Sequence, residues 1–174
     1  PCVPYTPPNE ECDLIGALGV GCGALVVHED GSGPFPTIQS AIDVVIEGST
    51  IFLSDGIFTG AGNRDIDFRG RELTVRSLSG DPETCIIDCE GEGRGIKFEN
   101  GEGLNSVLSG FTIKNGERGD GGGIKCEYSS PQITHCVITA SLGDRGSGGG
   151  IYCDHCSPTI TDCSITGNSA HYGG

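Results

Sequence analysis

Residues 121–136 read GGGIKCEYSSPQITHC, and residues 148–163 read GGGIYCDHCSPTITDC. Their shared Gly, Ile, Cys, Ser, Pro and Thr positions are all displaced by the same 27 residues. A unit of this length holds only two or three short strands and cannot close a core alone, but copies stacked on one another can. The repeat extends backwards in two series. One runs Ile66-Asp67-Phe68, Ile96-Lys97-Phe98, Ile124-Lys125-Cys126 and Ile151-Tyr152-Cys153. The other runs Cys85-Ile86-Ile87, Phe111-Thr112-Ile113, Cys136-Val137-Ile138 and Cys163-Ser164-Ile165, with steps of 25 to 30 residues between equivalents. The pattern predicts an all-β right-handed parallel β-helix, a solenoid of stacked turns.

Side chains alternate along a strand, so the first and third residue of each triplet should point inward and the second outward. Phe68, Phe98, Cys126 and Cys153 then form one core column, and Cys85, Phe111, Cys136 and Cys163 another. The replacement of Phe by Cys within a column suits an interior position. Only one stretch has helical spacing: Ile38, Ala41, Ile42 and Val45, with Pro36 before it and Gly48 after, predict a helix near residues 37–47. Residues 1–22 contain four prolines and three cysteines and read as an extended arm, leaving 23–174 as the β-helix domain.

The chain has a formal net charge of −14, which argues against nucleic acid or an anionic membrane surface as a partner. No run of about 18 apolar residues is present, so no membrane span is expected. Ten cysteines in an acidic, Gly-rich chain point to an oxidising compartment, and the protein is expected to be secreted, extracellular or at the cell surface. An export signal, if ever present, is expected to have been removed.

The stretch DGSGPFPTIQSAIDVV, residues 30–45, is similar to the opening of pectinesterases, and GSTIFLSDGIFTG, residues 48–60, continues the likeness. Residues 148–170 resemble the generic rungs of bacterial secreted β-helix proteins. The chain thus resembles the pectin-lyase-like superfamily, which implies the right-handed β-helix fold and, as one functional alternative, a carbohydrate-active or carbohydrate-binding protein. The resemblance does not extend to catalysis. Pectinesterases carry an Asp pair, glutamines and an Arg on their middle rungs, whereas here Gly110-Phe111 is followed by Thr112-Ile113 and the only glutamines are Gln39 and Gln132. No catalytic residue is assigned.

After the Phe/Cys column, successive rungs place Arg69, Glu99, Glu127 and Asp154. Strands lie about 4.8 Å apart, so Glu99, Glu127 and Asp154 would form an acidic column, for which calcium is the fitting cation and Lys97 and Lys125 the nearby counter-charges. A solvated acidic face is the plainer reading. Cys153-Asp154-His155-Cys156 has a zinc-like spacing but lacks a second ligand pair. His135 aligns with Asp162 and no Ser, His and acid trio can be assembled. Cys126 with Cys153, and Cys136 with Cys163, are candidate disulfides between adjacent turns, since the strand spacing lies within the usual Cα range. Cys2, Cys12 and Cys22 could bridge within the arm or to a neighbour.

The last rung presents Ile151, Ile160 and Ile165 as an apolar stack, and no capping pattern follows it. The end is expected to be covered, by a longer chain or by another subunit. The expected function is a non-enzymatic structural or surface β-helix that assembles head to tail with copies of itself into an extracellular fibre. A polysaccharide is the alternative partner, although 6 % aromatic residues and no Trp make a sugar groove sparse.

Overall fold

The computed structural model describes residues 25–173, so the arm expected over residues 1–22, with Cys2, Cys12 and Cys22, lies outside the described residues. Strand β1 (Leu25–Val27) opens the solenoid, followed by helix α1 (Ile38–Val44). Five turns follow. They contain β2 (Thr50–Leu53), β3 (Gly56–Phe58) and β4 (Ile66–Asp67), then β5 (Thr74–Ser77), β6 (Cys85–Asp88) and β7 (Ile96–Phe98). The third turn holds β8 (Val107–Ser109), β9 (Thr112–Lys114) and β10 (Ile124–Glu127). The fourth holds β11 (Gln132–Thr134), β12 (Val137–Thr139), β13 (Leu142–Ser147) and β14 (Ile151–Asp154), and the fifth β15 (Thr159–Thr161), β16 (Ser164–Thr166) and β17 (Ser169–Tyr172).

The strands form three long parallel faces: β1-β2-β5-β8-β11-β15, then β3-β6-β9-β12-β16, then β4-β7-β10-β14. A short fourth face pairs β13 with β17. This is the parallel β-helix read from the repeat, with both triplet series in the expected register: Ile66, Ile96, Ile124 and Ile151 stack on the third face, and Ile87, Ile113, Ile138 and Ile165 on the second. The first face, whose inward column runs Ile51, Val75, Leu108, Ile133 and Ile160, is the longest.

Core packing follows the alternation. Phe58, Phe68, Phe98 and Phe111 are wholly buried, and the Phe68 and Phe98 rings lie 4.8 Å apart on adjacent turns. One outward position departs from the pattern: Thr112 is buried and its hydroxyl donates to the Pro82 carbonyl at 2.6 Å, tying the second face to the preceding corner.

The glycine triplets that open each copy of the repeat are explained by close stacking. A Cβ on Gly123 would lie 2.5 Å from the Gly150 carbonyl oxygen and 2.6 Å from Cγ2 of Ile138, and one on Gly95 would lie 2.5 Å from the Gly123 oxygen. Only a residue without a side chain lets successive turns nest there.

Helix α1 is shorter than the spacing predicts. Thr37 caps it reciprocally: its hydroxyl accepts from the Ser40 N–H at 3.2 Å, while Ser40 Oγ accepts from the Thr37 N–H at 3.1 Å. Val45 is buried but already extended, and acts as the C-cap. The last carbonyls are taken up by Arg71, whose guanidinium donates to the Ile42 oxygen and, at 2.8 Å, to that of Val45. Ile38, Ala41 and Ile42 are buried, and the helix packs against β1, β2 and β4 at the first-turn end.

Candidate functional site

The expected acidic column is present but interleaved with cations. On the third face Asp67, Lys97, Lys125 and Tyr152 stack outward, beside Glu99, Glu127 and Asp154. Lys125 Nζ sits between Glu99 Oε1 at 2.6 Å and Glu127 Oε2 at 2.7 Å. Lys97 Nζ bridges Asp67 at 3.2 Å and Glu99 at 3.6 Å. Partial burial of Glu99 works against its charge, yet the hydrogen bond and charge of Lys125, with Lys97 and Arg94 behind it, hold the carboxyl below its usual range. Burial likewise opposes the Lys125 ammonium, and its bonds to Glu127 and Glu99 overcome this and raise its pKa. Arg69 leaves the column and pairs with Asp43 of α1 at 3.2 Å, and Asp154 pairs with the neighbouring His155 Nδ1 at 2.8 Å. Among the described residues no three His, Cys, Asp or Glu side chains converge in a way that could hold a metal ion.

A buried carboxylate that the repeat did not reveal organises the corner beyond this face. Glu102 is almost wholly buried; its Oε1 accepts from the Gly70 N–H at 2.8 Å, and its Oε2 accepts from the Asn100 N–H at 2.9 Å and the Ser129 hydroxyl at 2.8 Å. It clips three turns together. Glu102 has no counterpart in the later rungs, so periodicity carried no signal for it. Tyr128 and His155 form a second feature: their rings stack 4.9 Å apart at an exposed corner, each in the left-handed backbone region. Their displacement by one repeat could have exposed that pair. His135 and Asp162, aligned in the sequence, lie 3.6 Å apart at the next corner.

The cysteines of the two columns stack as expected. Cys126 and Cys153 are register partners, and Cys136 and Cys163 immediately precede the paired residues Val137 and Ser164, with the Cys136 N–H 3.5 Å from Cys163 Sγ. The seven cysteines of the described residues are free thiols in this structure, so neither pair is bridged. The hydrogen bond from Cys126 stabilises a thiolate on Cys153, against the cost of its partial burial, and brings it to about 6. The bond from Cys136 does the same for Cys163, also to about 6. The buried donors shift upward, Cys126 and Cys136 through those hydrogen bonds and then burial.

At the far end the outermost strands of the three long faces are β14, β15 and β16. Here the sequence-predicted residues Ile151, Ile160 and Ile165 lie one on each of these three strands, and Ile151, Cys156 and Cys163 pack against the buried core. Ile133 and Ile138 in the fourth turn are 0 % exposed, whereas their register partners Ile160 and Ile165 are 39 % and 44 % exposed. Ile151 is half-buried. The opposite end is closed in part by α1. No helix among the described residues is long and apolar enough to cross a membrane. Comparison of the chain with protein-family models finds no match, and comparison with curated proteins finds none either.

Proposed function

We propose that this is a non-catalytic, structural β-helix of the extracellular or cell-surface space that assembles end to end with other copies of itself. The contrast between Ile133 and Ile138, wholly buried, and Ile160 and Ile165, 39 % and 44 % exposed at equivalent positions, carries the reading. A further rung laid on β14, β15 and β16 would continue both columns and pair the open strand edges, which otherwise attract other strands. The contact commits two different ends of the molecule, so repetition gives a fibre instead of a closed ring. Ten cysteines support an oxidising location. Kinship with the pectin-lyase-like superfamily is proposed on residues 30–60, where the Thr37 capping box starts the helix that precedes the first full turn.

A polysaccharide-binding role is the second reading, favoured by the exposed, stacked Tyr128 and His155 rings beside Glu127 and Asp154. A flat aromatic surface flanked by carboxylates suits sugar rings and their hydroxyls. Sedimentation velocity over a concentration series, with electron microscopy of the same samples, separates the readings. Filaments one β-helix wide are expected. A chain that stays monomeric at the highest concentration overturns the structural proposal, and a closed dimer overturns its head-to-tail form.

A further inference from the structure

The third turn carries Arg118, Gly119 and Asp120 on the corner between the second and third faces, with Arg118 and Gly119 exposed and Asp120 partly so. A turn flanks this corner on either side: the Glu117 N–H donates to the Gly93 oxygen at 2.7 Å, and the Arg118 N–H to the Leu142 oxygen at 3.1 Å. Its exposure is therefore lateral and belongs to neither end of the solenoid. The backbone is held in place. The Asp120 carbonyl accepts from Arg94 at 2.7 Å, and Asp120 Oδ1 accepts from the Ser147 N–H at 2.8 Å.

Two groups on this corner are left over. Among the described residues nothing donates to Asp120 Oδ2, and the Arg118 guanidinium has no hydrogen bond or ion pair. On a chain of net charge −14 a free guanidinium calls for a reason, since Arg64 and Arg69 pair with carboxylates and Arg71 and Arg94 with backbone oxygens. The glycine between the two groups is not demanded by the fold: a Cβ on Gly119 would meet nothing nearer than the Asp144 oxygen at 3.9 Å, and its φ lies outside the left-handed region. One turn later an equally unpaired Arg145 is followed by Gly146 and Ser147, so the carboxylate belongs to the third turn alone.

We propose that Arg118-Gly119-Asp120 is a docking site for an extracellular adhesion receptor that holds a divalent cation at its binding face, as integrins do. Asp120 Oδ2 completes the coordination of that cation, a hard oxygen for a hard ion, and the Arg118 guanidinium pairs with an acidic side chain of the receptor. Gly119 keeps the surface between the two groups low, so one partner reaches both. Because bonds to both neighbouring turns already fix the corner, binding has little left to order. The site rests on the extracellular reading but not on the end-to-end contact, and the monomer already carries it.

The test is biolayer interferometry of the full 174-residue chain, kept dilute, against a panel of purified integrin ectodomains that bind Arg-Gly-Asp peptides, with manganese present. Saturable binding to at least one is expected, lost on addition of EDTA and displaced by a cyclic Arg-Gly-Asp peptide. Asp120→Ser, which copies the corner at Arg145, and Arg118→Ala should each weaken it by about tenfold or more. Gly119→Ala should also weaken it while leaving the midpoint of thermal unfolding unchanged, so the comparison holds even where Asp120→Ser loosens the corner. No binding to any member of the panel overturns the proposal, as does binding that survives EDTA or that Gly119→Ala and Asp120→Ser leave intact. Binding by a chain that stays monomeric supports the site while overturning the fibre, and assembly without binding does the reverse.

Discussion

Replacing Ile160 and Ile165 together by alanine should weaken self-association far more than any change on the lateral faces. Each Ile→Ala change removes three carbon atoms, about 2.4 kcal/mol for full burial at ~0.8 kcal/mol per methylene. The exposed fractions of 39 % and 44 % leave a combined gain of about 2 kcal/mol for a covering rung to supply. One copy of the pair lies at each head-to-tail junction, so the association constant should fall about 30-fold. A two-fold junction would contain the pair twice, lose about 4 kcal/mol, and fall about a thousandfold. Sedimentation velocity gives the constant, and circular dichroism on heating checks that the variant remains folded at the assay temperature. Ile133→Ala, at a wholly buried position, is the control: it should cost about 2–5 kcal/mol of folding stability. If the folded double variant associates as strongly as the parent, the apolar columns do not form the junction.

Gly123→Ala should destabilise the fold by about 1–3 kcal/mol in urea titration, since its Cβ would press on the Gly150 backbone and Ile138. Lys125→Met should cost about 1–2 kcal/mol near neutral pH, a figure discounted for partial exposure. Glu99 has a lowered pKa when folded, so its stabilisation is present above its unfolded value and is lost as pH falls through the folded value; Lys125→Met should flatten that acid limb of a pH–stability profile. Alkylation of Cys153, followed by mass spectrometry, should slow about tenfold between pH 7 and pH 5, because its thiolate protonates near 6, where an ordinary thiol would slow about a hundredfold. Assays for pectin methyl-ester hydrolysis and for unsaturated lyase products should stay at background, and turnover abolished by substituting an acidic residue would contradict the non-catalytic reading.

The solenoid was legible from the repeat, because a period of 27 residues with alternating Ile, Phe and Cys has few other ways to bury its apolar side chains. The repeat also determined the pairing of Ile124 with Ile151 and Cys126 with Cys153, since register in a stacked repeat follows from equal displacement. The start of α1 was legible from Pro36 and Thr37, but its end was not. Val45 keeps the helical spacing yet is extended, because Arg71, 26 residues away, takes the carbonyls that a longer helix would have used. Side-chain identity placed Glu99, Glu127 and Asp154 in a row with Lys97 and Lys125 nearby, while the seat of Lys125 between two of the carboxylates depends on rotamers that only the tertiary structure fixes. Glu102 was hidden for a related reason, since its three donors come from separate turns and none recurs with the period. The spacing of Cys153 and Cys156 was visible in the sequence, but the bond from Cys156 Sγ to the Cys126 carbonyl oxygen was not, since it forms across a corner where His155 takes the left-handed backbone conformation.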